Sequence, residues 1–252
     1  MRAEAHFQHF ASRRHEPDWA HAAANEPELL TDYLYDVAVA DVASERAGKG
    51  QDPCLALLVL QQRTGPAELH QALAALQHAT PAVRQLGAQI LREFPRLDSA
   101  PQPWAPRVVR ALEQAMDKEP DDEVFRWQLS ALAWQCHPEG TPVLLRYRAD
   151  HRAMVRYVVA GGLLMTLSED HPLSDEVAEA LADFLGDPDA EVVWSVLHDL
   201  REFSDLLMPH VGRLLLAARQ LLDDPRDEIR EIASEAVVAL QAVPPSDDHR
   251  TA

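Results

Sequence analysis

The sequence predicts an all-α superhelix of stacked antiparallel helix pairs, and three observations predict it. Apolar residues recur at helical spacing along almost the whole chain, whereas no segment alternates apolar and polar residues as a half-buried strand does. Prolines, of which there are 18, fall mainly between the apolar segments, where they end helices. One short motif also recurs five times, at intervals that fit a two-helix repeat.

The individual helices follow from the apolar spacing and from the Pro and Gly residues that interrupt it. We expect helices over 4–14, 27–46, 53–63, 66–78, 81–94, 104–118, 121–136, 141–149, 151–167, 174–185, 189–203, 208–223 and 227–242. The breakers between them include Gly48-Lys49-Gly50, Thr64-Gly65-Pro66, Thr80-Pro81, Glu119-Pro120, His171-Pro172, Gly186-Asp187-Pro188 and Asp224-Pro225.

The recurring motif joins an acidic or proline-containing turn to an apolar residue that opens a helix. The segment 186–192 matches 223–229 without a gap, and weaker copies precede three earlier apolar positions. The five apolar anchors are Val83, Val124, Val155, Val192 and Ile229, separated by 41, 31, 37 and 37 residues. In this motif Asp-Pro would stop one helix and start the next, because Pro suits the first helical turn and Asp can cap it.

The positions after each anchor predict which side of the second helix faces the core. In the first copy they are Val83, Leu86, Gly87, Ile90, Leu91 and Phe94, and in the last they are Ile229, Ile232, Ala233, Ala236, Val237 and Leu240. The small residues Gly87 and Ala233 occupy one slot, where two helices could approach closely. A single helix pair cannot bury its own apolar face, so neighbouring pairs must stack.

The segments Val83-Arg84, Val155-Arg156 and Ile229-Arg230 resemble the second-helix signature of HEAT repeats, especially the short HEAT-like, PBS-lyase-type repeats of bacterial proteins. The resemblance covers about residues 50–243 and implies a HEAT-like solenoid. In that family the Arg commonly pairs with an Asp of the adjacent repeat. Phe125 and Val193 stand in its place in two copies, so we expect the ladder of pairs to be interrupted there.

The same pattern divides the chain into three parts. Residues 1–50 are expected to form an N-terminal helical cap, because a terminal repeat must face water. Residues 51–243 hold about five HEAT-like repeats, with second helices starting near 81, 121, 152, 189 and 226. The polar segment 244–252 is expected to be a disordered tail.

The charge of the chain argues against several classes of partner. The formal net charge is −18, and residues 169–252 alone carry 20 acidic and 6 basic residues. Such a charge repels phosphate backbones and anionic lipid, so nucleic acid and membrane partners are disfavoured. The N-terminus has no apolar segment of signal-peptide type, and Cys54 and Cys136 are widely separated. These features predict a cytoplasmic protein with free thiols.

HEAT solenoids line their concave surface with the second helix of each pair, so residues two, six and nine positions past each anchor are candidates for partner contact. On this count Gln85 and Gln89 should also face away from the core. From the set we select Arg126, Tyr157, Trp194, His198 and Arg201 as the partner-binding ridge, since Arg, Tyr and Trp are enriched at interface centres. The alternative is that the two large aromatics simply pack between repeats.

A basic cluster formed by Arg146, Arg148, Arg152 and Arg156 is a candidate anion-binding site. The alternative, which we favour, is that these arginines pair with acids such as Asp150 and Asp187. No catalytic residue, metal site or cofactor is predicted. His6 and His9 lie one helical turn apart but have no accompanying ligands of a metal site, and nucleophile or phosphate-loop motifs are missing from the sequence.

The function that these features favour is a protein–protein interaction scaffold, which binds another protein, possibly a basic one, on the concave face of the solenoid. Two alternatives stay open at this level. One is a lyase-type chaperone or enzyme subunit of the HEAT-like family, which would need a deep apolar groove. The other, less favoured because of the charge, is a HEAT-like enzyme that acts on nucleic acid.

Overall fold

A computed structural model describes residues 2–15, 18–27, 29–49, 54–63, 65–94, 102–168, 170–208 and 210–243 of the chain. Within these ranges the protein is built from helices and contains no strand, as the sequence predicts. None of the described helices is long and apolar enough to cross a membrane. The predicted tail over 244–252 lies outside the described residues.

The chain forms two compact units, residues 1–135 and residues 136–252. The boundary falls inside the region that the sequence assigns to repeats. The helices of the first unit are α1 (Arg2–Ser12), α2 (Trp19–Ala24), α3 (Thr31–Arg46), α4 (Leu55–Gln61), α5 (Pro66–Ala75), α6 (Pro81–Arg92), α7 (Ala105–Met116) and α8 (Asp122–Trp134). Those of the second unit are α9 (Thr141–Leu145), α10 (Ala153–Met165), α11 (Asp175–Leu185), α12 (Ala190–Glu202), α13 (Val211–Gln220) and α14 (Asp227–Ala242).

Local signals place the starts of these helices. A proline stands in the first turn of α5, α6 and α7, where its missing N–H costs no hydrogen bond. The side chain of Asp121 accepts a hydrogen bond from the Val124 N–H at 3.0 Å and caps α8. Asp189 caps α12 in the same way, through the Glu191 N–H at 3.0 Å. The short helix α2 is not anticipated by the apolar spacing.

Helix pairs stack within each unit. In the first unit α5 packs on α6, α7 packs on α8, and the second helices α6 and α8 lie against each other. In the second unit α9 packs on α10, α11 on α12 and α13 on α14, while the second helices α10, α12 and α14 stack in that order. This two-layer arrangement of antiparallel pairs is the α-α solenoid architecture that the repeat spacing predicts.

The inward positions of the repeat motif form the cores of the pairs. The anchors Val124, Val155, Val192 and Ile229 are all buried, whereas Val83 keeps partial exposure. Gly87 lies where α5 and α6 approach closely, since a Cβ placed there would stand 2.8 Å from the Ala75 Cβ. The sequence therefore identified both the buried side of the second helices and the reason for a glycine in this slot.

Two residues of α6 that were expected to face away from the core are buried, because α3 packs against this helix. Gln85 is only 1% exposed and Gln89 only 4%, although both were expected to face away from the core. Helix α3 packs against α6, and Arg46 at its end donates to Gln85 Oε1 at 2.8 Å. The side-chain amide of Gln61 in α4 donates to the backbone carbonyl of Gln89 at 3.0 Å. The N-terminal helices thus cover the side of α6 that counting from the motif leaves open.

Candidate functional site

Helices α12 and α14 of the second unit form the walls of a groove of about 390 Å³. One turn after another, α12 contributes Trp194, His198 and Arg201, because residues three or four apart share a helix face. The facing residues of α14 are Glu228, Glu231, Ile232 and Glu235. One wall is therefore aromatic and cationic, and the other carries three carboxylates beside an isoleucine.

The aromatic wall is a stacked pair. The rings of Trp194 and His198 lie with centroids 5.0 Å apart and planes 22° from parallel. Trp194 keeps 40% of its surface exposed, which is high for a large aromatic residue. The indole ring thus stacks on the imidazole of His198 and still leaves much of its surface open to solvent.

Arg201 crosses the groove. Its Nη1 donates to Glu235 Oε2 at 2.5 Å, and its Nε and Nη2 donate to Glu202 Oε1 at 3.0 and 2.7 Å. These two carboxylates raise the pKa of Arg201 above its ordinary value. No ion pair is seen for Glu228 or Glu231 within the described part of the chain, and both side chains are exposed.

A carboxylate lies beneath the aromatic pair. Asp199 Oδ1 is 3.2 Å from His198 Nδ1, and burial raises the pKa of Asp199 above its usual range. The opposite oxygen, Oδ2, points at Gly161 of α10, where a Cβ would stand 3.4 Å away. Such a Cβ would be in ordinary van der Waals contact with the Asp199 carboxylate, so α10 and α12 lie close together at this point.

Three of the five predicted ridge residues are brought together by this groove, and two are not. Tyr157 is 37% exposed on α10 but does not line the groove. Arg126 belongs to the first unit, where its Nε donates to Glu123 Oε2 at 3.0 Å and its guanidinium lies 4.6 Å from the centre of the Trp127 ring. At exposures of 37% for Tyr157 and 40% for Trp194, neither aromatic side chain is fully buried between repeats.

Two of the four arginines in the predicted anion-binding cluster pair with acidic residues of the protein itself. Arg152 donates to both carboxylate oxygens of Asp150 at 2.9 Å. Arg156 donates to both oxygens of Asp187, at 2.6 and 2.9 Å. Arg146 is exposed and lies over the ring of the neighbouring Tyr147, with Arg148 half-buried nearby in sequence. The ion pairs with acids that the sequence favours over anion binding are therefore present for Arg152 and Arg156.

The acidic wall was not selected for the partner-binding ridge, although two of its residues are among the positions that the motif count offers as candidates for partner contact. Glu231 and Glu235 lie two and six positions past the last anchor, Ile229, as Trp194 and His198 do after theirs. What the sequence lacks is the information that α14 stacks on α12, which brings the two sets face to face. The described residues contain no group of three or more His, Cys, Asp or Glu side chains placed to hold a metal ion.

Comparison with known proteins extends only to the fold. No protein-family model matches the chain, and no curated protein matches it. Among solved structures, a designed armadillo repeat protein in complex with the peptide (KR)4 is 16% identical, with a TM-score of 0.51 over 82% of this chain and 99% of that chain. The Escherichia coli protein YibA is 16% identical, with a TM-score of 0.55 over 83% of this chain and 72% of that one.

An engineered protein is also similar, with 17% identity and a TM-score of 0.53 over 86% of this chain and 92% of that chain. At these identities the likeness shows the fold and nothing more. Together with the stacked helix pairs of the two units, it shows that the chain has the fold of armadillo and HEAT-like repeat solenoids.

Proposed function

We propose that this protein is a binding scaffold that takes a basic segment of another protein on the second-helix face of its second unit. The observation that carries the proposal is the groove between α12 and α14. It places the exposed Trp194 ring opposite the carboxylates of Glu228 and Glu231. An aromatic face beside unpaired carboxylates suits Lys and Arg side chains, which can stack on the ring and pair with the acids.

The charge of the chain supports a basic partner. The net charge of −18 is concentrated in the last third of the chain, where the groove lies. Charge of one sign around a binding surface draws an oppositely charged partner by long-range attraction and disfavours acidic competitors. The designed armadillo protein of similar fold was solved with a peptide of alternating Lys and Arg, so a solenoid of this general kind can present such a surface.

The shape of the groove supports a protein segment as the occupant. The groove has a volume of about 390 Å³ and is open to solvent, and its two helices continue beyond it. Charged and aromatic side chains line it. Trp and Arg are the residues found most often at the energetic centres of protein interfaces. We therefore place the centre of contact at Trp194, with His198 beside it and with Arg201 at the acidic side of the groove, bonded to Glu235.

A direct test uses a peptide of eight alternating Lys and Arg residues, titrated into the full chain by calorimetry. We expect saturable binding that weakens as salt is raised, because the attraction is largely electrostatic. Trp194→Ala should weaken binding roughly tenfold or more, as loss of an interface centre does. The matched control is Trp127→Ala, which removes a half-buried tryptophan of α8 in the other unit.

Two results would count against the proposal. One is equal binding of an uncharged Ser-Gly peptide of the same length. The other is an equal loss of affinity in the Trp194→Ala and Trp127→Ala variants, both of them folded by circular dichroism. Capture from the native host with wild type and with Trp194→Ala would then identify the natural partner, whose contacting segment should be basic.

We also propose that the protein belongs to the bacterial HEAT-like repeat proteins and that it acts in the cytoplasm. The Val-Arg motif supports the first, and the two free cysteines suit a reducing compartment. Fractionation of the native host would test the second, since recovery from the periplasm or medium would contradict it.

A further inference from the structure

A guanidinium group already occupies the groove in which the proposed partner would bind. Arg201 belongs to α12, yet its Nη1 bonds the Glu235 carboxylate of α14 at 2.5 Å. Its other edge, through Nε and Nη2, bonds Glu202 at 3.0 and 2.7 Å. The protein's own arginine thus makes the contact that an arginine of a bound segment would make.

Arg201 bonds its two carboxylate partners through different edges of the guanidinium group. Arg presents five donors in a planar fork, so that one edge can bond Glu235 while the perpendicular edge bonds Glu202. A Lys ammonium has three donors around a single point and lacks the paired Nε and Nη2 donors with which the guanidinium bonds Glu202. The arrangement of these acids therefore favours Arg over Lys.

The contact is also easily exchanged. Arg201 keeps 35% of its side chain exposed, and its two partners Glu202 and Glu235 keep 53% and 48%. Ion pairs at such exposure contribute little to stability, because water and salt screen them and the long side chains lose entropy when held. Two further carboxylates, Glu228 and Glu231, lie in the same groove for other basic residues of the segment.

We propose that Arg201 is an internal stand-in for an arginine of the partner, and that binding proceeds by its displacement from Glu235. This inference rests on the proposed function and deepens it in two ways. It assigns the partner to the class of arginine-bearing segments, and it makes Arg201 a specificity-determining residue that competes with the partner. Removal of Arg201 then strengthens binding, whereas removal of an ordinary contact residue weakens it.

The test compares two peptides of eight residues, one all Arg and one all Lys, on wild type, Arg201→Ala and Arg213→Ala. Arg213 is exposed on α13 and does not line the groove, so its removal changes net charge by the same amount. We expect Arg201→Ala to bind the Arg peptide roughly threefold to fivefold tighter, the size of effect typical of a freed exposed ion pair. The Lys peptide and the Arg213→Ala variant should change less than about twofold.

Arg201→Gln serves as a second variant, since it keeps most of the aliphatic stem and should reproduce the gain if Arg201→Ala loosens the packing of α12. Weaker binding of the Arg peptide by both variants would overturn the inference, because Arg201 would then be an ordinary contact. Equal tightening of both peptides, matched by Arg213→Ala, would also overturn it and leave a bulk charge effect. Either outcome leaves the proposed function standing.

The proposed function fails in a different way. If neither peptide binds wild type, Arg201→Ala or Arg201→Gln, then the groove is not a site for basic segments and the competition by Arg201 falls with it. Binding by the two Arg201 variants but not by wild type would support displacement most strongly.

Discussion

Replacing Arg156 with alanine should destabilise the second unit more than any comparable change of a surface arginine. Arg156 follows the anchor Val155 in α10 and reaches the turn before α12. Its Nε and Nη2 bond the Asp187 carboxylate at 2.6 and 2.9 Å, and its Nη1 bonds the Asp150 carbonyl at 2.8 Å. One side chain thus ties two turns that belong to successive repeats.

The magnitude follows from burial. The side chains of Arg156 and Asp187 are only 14% and 6% exposed. Breaking a fully buried pair costs about 3–5 kcal/mol, since a charge is left without its counter-charge, whereas an exposed pair is worth about 0.2–1 kcal/mol. Asp187 retains one bond from the Asp189 N–H at 2.9 Å. We therefore expect a loss of roughly 2–3 kcal/mol in the free energy of unfolding.

Arg230→Ala is the matched control. Arg230 holds the same motif position after the anchor Ile229, but no further repeat follows it in the described residues. It bonds the Asp224 carbonyl at 2.7 Å and the exposed Asp227 of its own helix. We expect this substitution to cost less than about 1 kcal/mol. Urea unfolding followed by far-UV circular dichroism would measure both values, with separate transitions fitted if the two units unfold independently.

Acidification provides a second check on the same ion pair. The Arg156 guanidinium holds the pKa of Asp187 below its ordinary value. A carboxyl group whose pKa is lowered by folding stabilises the protein when the pH is above its pKa in the unfolded state, which is about 3.9 for Asp. This stabilisation is lost as the pH falls through the pKa of the group in the folded state. The difference in the free energy of unfolding between wild type and Arg156→Ala should therefore become smaller below about pH 4. Equal losses in Arg156→Ala and Arg230→Ala, or a gap that persists at acid pH, would refute the reasoning.

Three further predictions concern packing and titration. Gly87→Ala should lower the free energy of unfolding by roughly 1–3 kcal/mol, because the new Cβ would stand 2.8 Å from the Ala75 Cβ and this strain outweighs the gain in helix propensity. The control is Gly212→Ala on α13, where a Cβ would meet open space. It should raise the free energy of unfolding by up to about 1 kcal/mol. Asp199→Asn should stabilise the protein at pH 7, because burial raises the Asp199 pKa and penalises its charged form, and this gain should vanish below the unfolded value of about 3.9. Burial also raises the pKa of the Cys54 thiol to about 12, so in a variant without the other cysteine it should react with a disulfide reagent at pH 8 more than about a hundredfold slower than a free thiol.

Each of these has a result that would contradict it. A stabilised Gly87→Ala variant would mean that α5 and α6 do not approach as closely as described. A loss of stability in Asp199→Asn at neutral pH would mean that the bond to His198 outweighs the cost of burial. Rapid labelling of Cys54 in the native protein, at a rate independent of urea, would place its sulfur in contact with solvent.

Local features of this chain were predictable because their causes are local. The second helices begin at Pro81, Asp122, Ala153, Ala190 and Asp227, close to the starts near 81, 121, 152, 189 and 226 that the motif predicts. Proline and capping side chains act within one turn, and apolar spacing of 3.6 residues defines the buried face of each helix. Gly87 was likewise recognisable, since a glycine in an apolar helix face marks a close approach.

The role of Asp187 shows where local reasoning ends. The Asp-Pro turn suggested a capping role for Asp187, but Asp189 caps α12. Asp187 instead pairs with Arg156 of the preceding repeat, in line with the expected pairing of the basic cluster with acids, although the sequence did not say which arginine would be its partner. The resemblance to HEAT repeats anticipated such pairs and their interruption at Phe125 and Val193, which are both buried. The partner of each charged residue depends on the stacking of repeats, which the spacing of a single motif does not specify.

The sequence by itself determined the helical class, the repeat period and the inward side of each second helix, because these depend on backbone preferences and on burial of apolar side chains. Only the tertiary structure decided which outward positions are exposed. Packing by α3 buries Gln85, although its motif position matches that of Trp194 on the groove. The same holds for the contact of Arg201 with Glu235, 34 residues apart, which exists because α14 stacks on α12. Neighbouring elements decide exposure and charge pairing, and helical periodicity carries no information about which element will be the neighbour.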